Sequence, residues 1–89
     1  SDFRLKTNIT EISNVLDKID YIRSVKFNYI QNPEKTYLGF IAEDFESYFP
    51  ELLSKPPNGF YSLDYSKITV LLLECIKELK KEIRSLSLI

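Results

Sequence analysis

Any nucleophilic, acid–base or metal chemistry in this chain has to be built without histidine and with a single cysteine, Cys75. That composition excludes histidine-based catalytic triads and cysteine–histidine zinc sites, and it leaves Cys75 without a partner for an internal disulfide. A nucleophilic cysteine would want a base beside it, so Cys75 reads as a small core residue. Glu43, Asp44 and Glu46 could in principle form a paired-carboxylate acid–base site, but they read better as the solvated face of a short helix. A serine hydroxyl is a weak nucleophile until a neighbouring base takes its proton. Lysine is a workable base where histidine is lacking, and serine–lysine pairs follow the logic of the catalytic triad. Ser1 and Lys6 lie five residues apart. Along an extended strand they would be separated by about 16 Å, so a bend or a neighbouring subunit must bring them together. On spacing alone, Ser1 and Asp2 read as a flexible end.

The rest of the composition narrows the field. Twelve Lys and Arg stand against thirteen Asp and Glu, a formal net charge of −1. No basic face emerges from that balance, so phosphate-driven nucleic-acid binding has no support. Six Tyr and six Phe are spread along the chain instead of being interleaved with Arg and Lys. No apolar run approaches the roughly 18 residues of a membrane span. The polar opening also lacks the pattern of a secretory signal. A soluble, cytoplasm-compatible protein with no membrane partner, metal or cofactor is expected. Its 89 residues suit one domain, 1–89, burying roughly 60–65% of the surface its unfolded chain exposes. Domains this small usually need a staple, and oligomerisation is the one that remains.

Along the chain, Ile12, Val15, Leu16, Ile19 and Ile22 recur at helical spacing, which predicts a helix N-capped by Thr10. Val25 to Tyr29 alternates as a half-buried strand does. Gln31 to Lys35 carries turn chemistry around Pro33, and Tyr37 to Ala42 resumes an extended pattern, so residues 25–42 predict a hairpin. Glu43 to Phe49 suits a short amphipathic helix ended by Pro50. Pro56 to Gly59 reads as a loop and Phe60 to Leu63 as a short strand. Phe40 and Tyr65 read as core aromatics. From about residue 64 nothing interrupts a helix. Within it Leu72, Ile76, Leu79, Ile83 and Leu86 follow the a/d spacing of a coiled coil, with Glu74, Lys77, Glu78 and Lys81 set for helix-surface pairs. Val70, Leu71 and Leu73 make its first half apolar nearly all round, which points to burial against other subunits. The competing arrangement folds this helix back on its own domain. The expected fold is therefore α+β: a small antiparallel hairpin with short helices and a long C-terminal helix, 64–89, assembled as a homotrimer.

Four segments in order resemble the S74 peptidase family, the C-terminal intramolecular chaperone domain of phage endosialidases and tail fibres. They are Ser1-Asp2-x-Arg4-Leu5-Lys6-x-Asn8-Ile9, Gly39-Phe40-Ile41-Ala42-Glu43-Asp44, Phe49-Pro50-Glu51-Leu52 and Leu63-Asp64-Tyr65-Ser66-Lys67, the last running into Glu74 to Leu79. The match spans almost the whole chain, and a related domain in the myelin regulatory factor trimerises and cleaves in a similar way. Departures are mild: Glu43 stands where the family often has Gln, Cys75 where it often has a small residue, and the domain is short for the family.

The resemblance implies a homotrimer at the C-terminus of a viral fibre or tail spike. It assists folding of the upstream stalk in the host-cell cytoplasm, then releases itself by cutting before Ser1. Ser1 is then the nucleophile and Lys6 the base, with Asp2 and Asn8 supporting the motif and the a/d residues forming the trimer interface. Asp2 could orient Ser1 or hold the bend. A chain starting at Ser1 is what such a cut would leave. Trimer assembly that buried Lys6 would favour its neutral form and tie cleavage to completed folding. A non-cleaving trimerisation clamp and an unrelated helical adaptor are the alternatives.

Overall fold

The computed structural model describes residues 1–87, and within them the chain is α+β. Strand β1 (Val25–Tyr29) pairs antiparallel with β2 (Asn32–Gly39), and β3 (Leu53–Ser54) pairs antiparallel with β4 (Ser62–Leu63). Short 3-10 turns join these strands, and one long helix, α1 (Ile68–Ser87), closes the chain. The expected helix over 64–89 thus starts later: Tyr65–Lys67 form a 3-10 turn, and Leu88 and Ile89 lie outside the described residues. Asp64 sets that start by accepting from the Ser66 N–H and hydroxyl. Such side-chain capping competes with the helical ladder at the residues just ahead of it.

The first predicted helix does not form. Residues 11–15 are irregular, Thr10 caps nothing, and only Lys18–Tyr21 make a 3-10 turn. Asn14 has φ 58°, a left-handed conformation that breaks a right-handed helix and that asparagine tolerates. The Val15 N–H, which a helix would have paired internally, instead donates to the Glu78 carboxylate at 3.0 Å. The apolar stripe still does its work: Val15 is among the most buried residues, and Leu16, Ile19 and Ile22 pack around it. Periodicity read the packed face correctly from Val15 to Ile22, but Ile12 stays 42% exposed and the backbone is not helical.

The hairpin is present, but its turn is Ile30-Gln31, ahead of the predicted one. Between the pairs Phe27–Tyr37 and Tyr29–Asn32, two steps on β1 match five on β2. The extra residues bulge out around Asn28, whose side-chain amide donates to the Pro33 carbonyl at 2.6 Å. Pro33 has no N–H to give, and a bulge in a two-stranded sheet makes no demand for one. Glu43 to Phe49 is likewise a 3-10 turn (Ala42–Phe45) followed by a hydrogen-bonded turn rather than a longer helix.

Val15, Phe45, Phe49, Leu52, Ile68, Leu71 and Cys75 form the core. Burial, then the nearby Glu78 and Glu74 charges, push the Cys75 thiol up, which keeps it protonated and suits a packing role. Helix α1 meets this core along Ile68, Leu71 and Cys75 only. Leu72, Ile76, Leu79, Ile83 and Leu86 face away and are each at least 47% exposed. Helix-surface pairing along α1 is not realised: among the described residues the ion pairs are Arg4–Asp2, Arg23–Asp44 and Lys67–Asp64. The radius of gyration is 16.7 Å, against about 12 Å for a compact globule of this length.

Candidate functional site

The opening segment supplies the bend that a Ser1–Lys6 encounter requires. Phe3–Leu5 form a single 3-10 turn in which the Leu5 N–H donates to the Asp2 carbonyl and the Lys6 N–H to the Phe3 carbonyl, both at 3.1 Å. Asp2 caps it. Its carboxylate accepts from the Arg4 backbone N–H at 2.9 Å and from Arg4 Nε and Nη2 at 3.1 and 2.9 Å. The Arg4 guanidinium holds the Asp2 carboxyl below the usual carboxylate range, and the Asp2 charge in turn raises Arg4. Of the two roles open to Asp2, these bonds belong to holding the bend. Asn8, with φ 54°, bends the chain just after the turn.

Ser1 and Lys6 line one cleft of about 580 Å³. Its floor is the edge of the core, Phe49, Leu52 and Leu71, and Val15 closes one side. Lys18, Lys67 and Glu51 add charge to its walls. Lys6 is exposed in the single chain, so no local burial shelters it. Sequence reasoning named Ser1 and Lys6 but missed Lys18, Glu51 and Lys67 as their neighbours. For Lys67 a signal existed: Asp64 sits one 3-10 turn ahead of it, and its Oδ2 lies 3.5 Å from Lys67 Nζ.

A second set of contacts ties the hairpin and the turn before α1 to the core. The Asp64 N–H donates to the Leu52 carbonyl at 2.8 Å, tying the start of the last turn to the core. Tyr65 is about half exposed and braces the sheet instead of filling the core, while Phe40 packs edge-on against Phe45 with centroids 5.6 Å apart. Asp44, expected on a solvated face, is mostly covered and accepts three hydrogen bonds from Arg23, of 3.0 to 3.2 Å. Its pKa is lowered by those bonds. In chemical terms the cleft brings a hydroxyl, the lysine five residues on and two further lysines to one space.

The peptidase S74 family, described as chaperone of endosialidase, matches residues 1–54, which carry the Ser1–Lys6 turn, the β1–β2 hairpin and the Gly39–Asp44 segment. The chain is also 40% identical over 62 residues to uncharacterized protein VP1 of Micromonas pusilla reovirus (isolate Netherlands/2005). That alignment covers 64% of this chain and only 3% of the reovirus protein.

Proposed function

The chain belongs to the peptidase S74 family, and from that premise we propose that it is a trimeric intramolecular chaperone that frees itself from an upstream viral stalk by a single serine–lysine cut before Ser1. The observation that carries this reading is the shared cleft: a 3-10 turn and its Asp2 cap bend the chain so that Ser1 and Lys6 open on the same space. The exposed a/d face of α1 supports the trimer. Apolar side chains repeated at heptad spacing along one uncovered helix face are the surface that coiled-coil partners bury. The viral setting rests on the family and on the reovirus relative, and assembly in the host-cell cytoplasm is part of the proposal.

The chemistry follows from Ser1 being both nucleophile and the residue after the scissile bond. Neutral Lys6 takes the proton from Ser1 Oγ, and Oγ attacks the carbonyl carbon of the preceding residue through a five-membered ring. The carbonyl becomes a tetrahedral oxyanion. As it collapses, the C–N bond breaks, the Ser1 nitrogen takes the proton back from Lys6, and the upstream acyl group is left as an ester on Oγ. Water then hydrolyses that ester, which yields the stalk carboxylate and restores the Ser1 hydroxyl. Lys6 must be neutral at the first step, a form that burial favours. Its exposure in one chain fits a reaction that waits for assembly.

The test is mass spectrometry of the domain joined to its natural upstream segment, with Ser1→Ala and Lys6→Ala alongside. A wild type split before Ser1, with both variants whole, is the expected result. A wild type that forms trimers yet stays whole would make this a structural clamp.

A further inference from the structure

Granting the self-cleaving reading above, on which this inference rests, we propose that Lys67 is a further catalytic residue, supplying the positive charge that meets the oxyanion formed when Ser1 attacks. The tetrahedral intermediate puts a full negative charge on a former carbonyl oxygen. A cleft that accelerates the step needs a donor aimed at that oxygen before it forms. The charged groups near Ser1 can be taken in turn. Lys6 is occupied as the base. Arg4, although next in the motif, has its guanidinium directed onto Asp2 by two bonds. Glu51 carries the wrong sign. Lys18 and Lys67 remain as cations on the cleft wall.

Both are held at the backbone, but among the described residues Lys67 is the one of the two whose side chain pairs with a carboxylate. Its backbone N–H closes the 3-10 turn onto the Asp64 carbonyl at 3.2 Å, and the next residue, Ile68, begins α1 in the core. Its ammonium stands 3.5 Å from Asp64 Oδ2. Asp64 is itself held by Ser66 and through its own N–H by the Leu52 carbonyl. One neighbour at that distance steers the ammonium without using its three donors. The side chain is 65% exposed and lines the same cleft as Ser1 and Lys6. In this arrangement the Asp64–Lys67 pair links the last turn before the helix to the chemistry at the other end of the chain.

The experiment follows stalk release over time in the domain with its upstream segment, comparing wild type with Lys67→Met, Lys67→Arg and Lys6→Ala, while light scattering reports trimer content. Lys67→Met is expected to assemble normally and release the stalk at least about 100-fold more slowly, in line with the loss of one oxyanion donor. Lys67→Arg should keep most of the rate. Wild-type speed in Lys67→Met overturns the inference. So does a loss of cleavage that tracks a loss of trimer, or one that Lys67→Arg shares in full, since each assigns Lys67 a structural role. If wild type stays whole, or Lys6→Ala still cuts, the self-cleaving reading itself falls, whatever Lys67 does.

Discussion

Tyr65 reaches across the end of β2 so that its Oη accepts the Phe40 N–H at 3.0 Å, directly over Gly39. A Cβ at residue 39 would sit 2.6 Å from that oxygen and 3.0 Å from Phe27 Cε1. Glycine is required there for close approach, since no positive φ is involved. The contact joins the hairpin to the turn that starts α1, and so joins two of the motif segments. Gly39→Ala should therefore push Tyr65 off and cost about 1–3 kcal/mol, the range for overpacking. Tyr65→Phe keeps the ring and loses only the acceptor, so its cost should be about 1 kcal/mol or less. Thermal melts at one protein concentration check both, and Gly39→Ala melting like wild type would refute the steric account.

The exposed stripe on α1 predicts that self-association, and cleavage with it, depends on a few apolar residues. Ile76→Asp with Ile83→Asp places charges where partners would pack and should give a monomer. If assembly is what buries Lys6, that monomer should not cut its upstream segment. Sedimentation velocity and mass spectrometry together check this. Efficient cutting by a proven monomer would separate the reaction from assembly.

Asp2 is spent on Arg4 and on capping the first turn. Asp2→Ala should loosen that turn and slow cleavage while leaving trimer formation intact, because the a/d residues of α1 are untouched. Arg4→Ala should do less, since the Arg4 backbone N–H still caps onto Asp2. Release rates measured beside light scattering test the order of the two effects.

Leu71 and Phe45 sit in the small core that α1 shares with the loops. Leu71→Ala should cost about 2–5 kcal/mol and Phe45→Ala about 3–5 kcal/mol. In so small a domain either could unfold the free chain. Urea midpoints at fixed concentration measure the losses.

Asp44 links acid stability to the Arg23 contact. Its folded pKa lies below the ordinary 3.8 because the Arg23 hydrogen bonds favour the carboxylate. The unfolded chain thus binds a proton first as pH falls. The contact's stabilisation is complete well above 3.8 and is lost as pH drops through the lower folded value. Asp44→Asn should be less stable than wild type at neutral pH, with the gap closing below about pH 3.8. Urea denaturation from pH 7 to pH 2 gives the comparison, and a constant gap would mean that the charge is irrelevant.

Residue types and spacing alone determined the absence of histidine chemistry, the apolar faces and the a/d stripe, while the serine and lysine of the first turn came from the ordered family segments around them. They also located the hairpin and the long helix, because β alternation and an uninterrupted helical run are local properties. Tertiary structure decided what those patterns became. The stripe from Ile12 to Ile22 reads as a helix, yet Asn14 turns left-handed and Glu78, sixty-three residues away, takes the Val15 N–H. Asp44 reads as solvated until Arg23 reaches it from across the fold. Lys67 lines the Ser1–Lys6 cleft, and the bond from the Asp64 N–H to the Leu52 carbonyl ties the turn that carries it to the core edge on the same cleft. Each of these outcomes depends on a hydrogen-bond partner distant in sequence, and a periodic pattern carries no information about which distant group will satisfy a given backbone or side-chain donor.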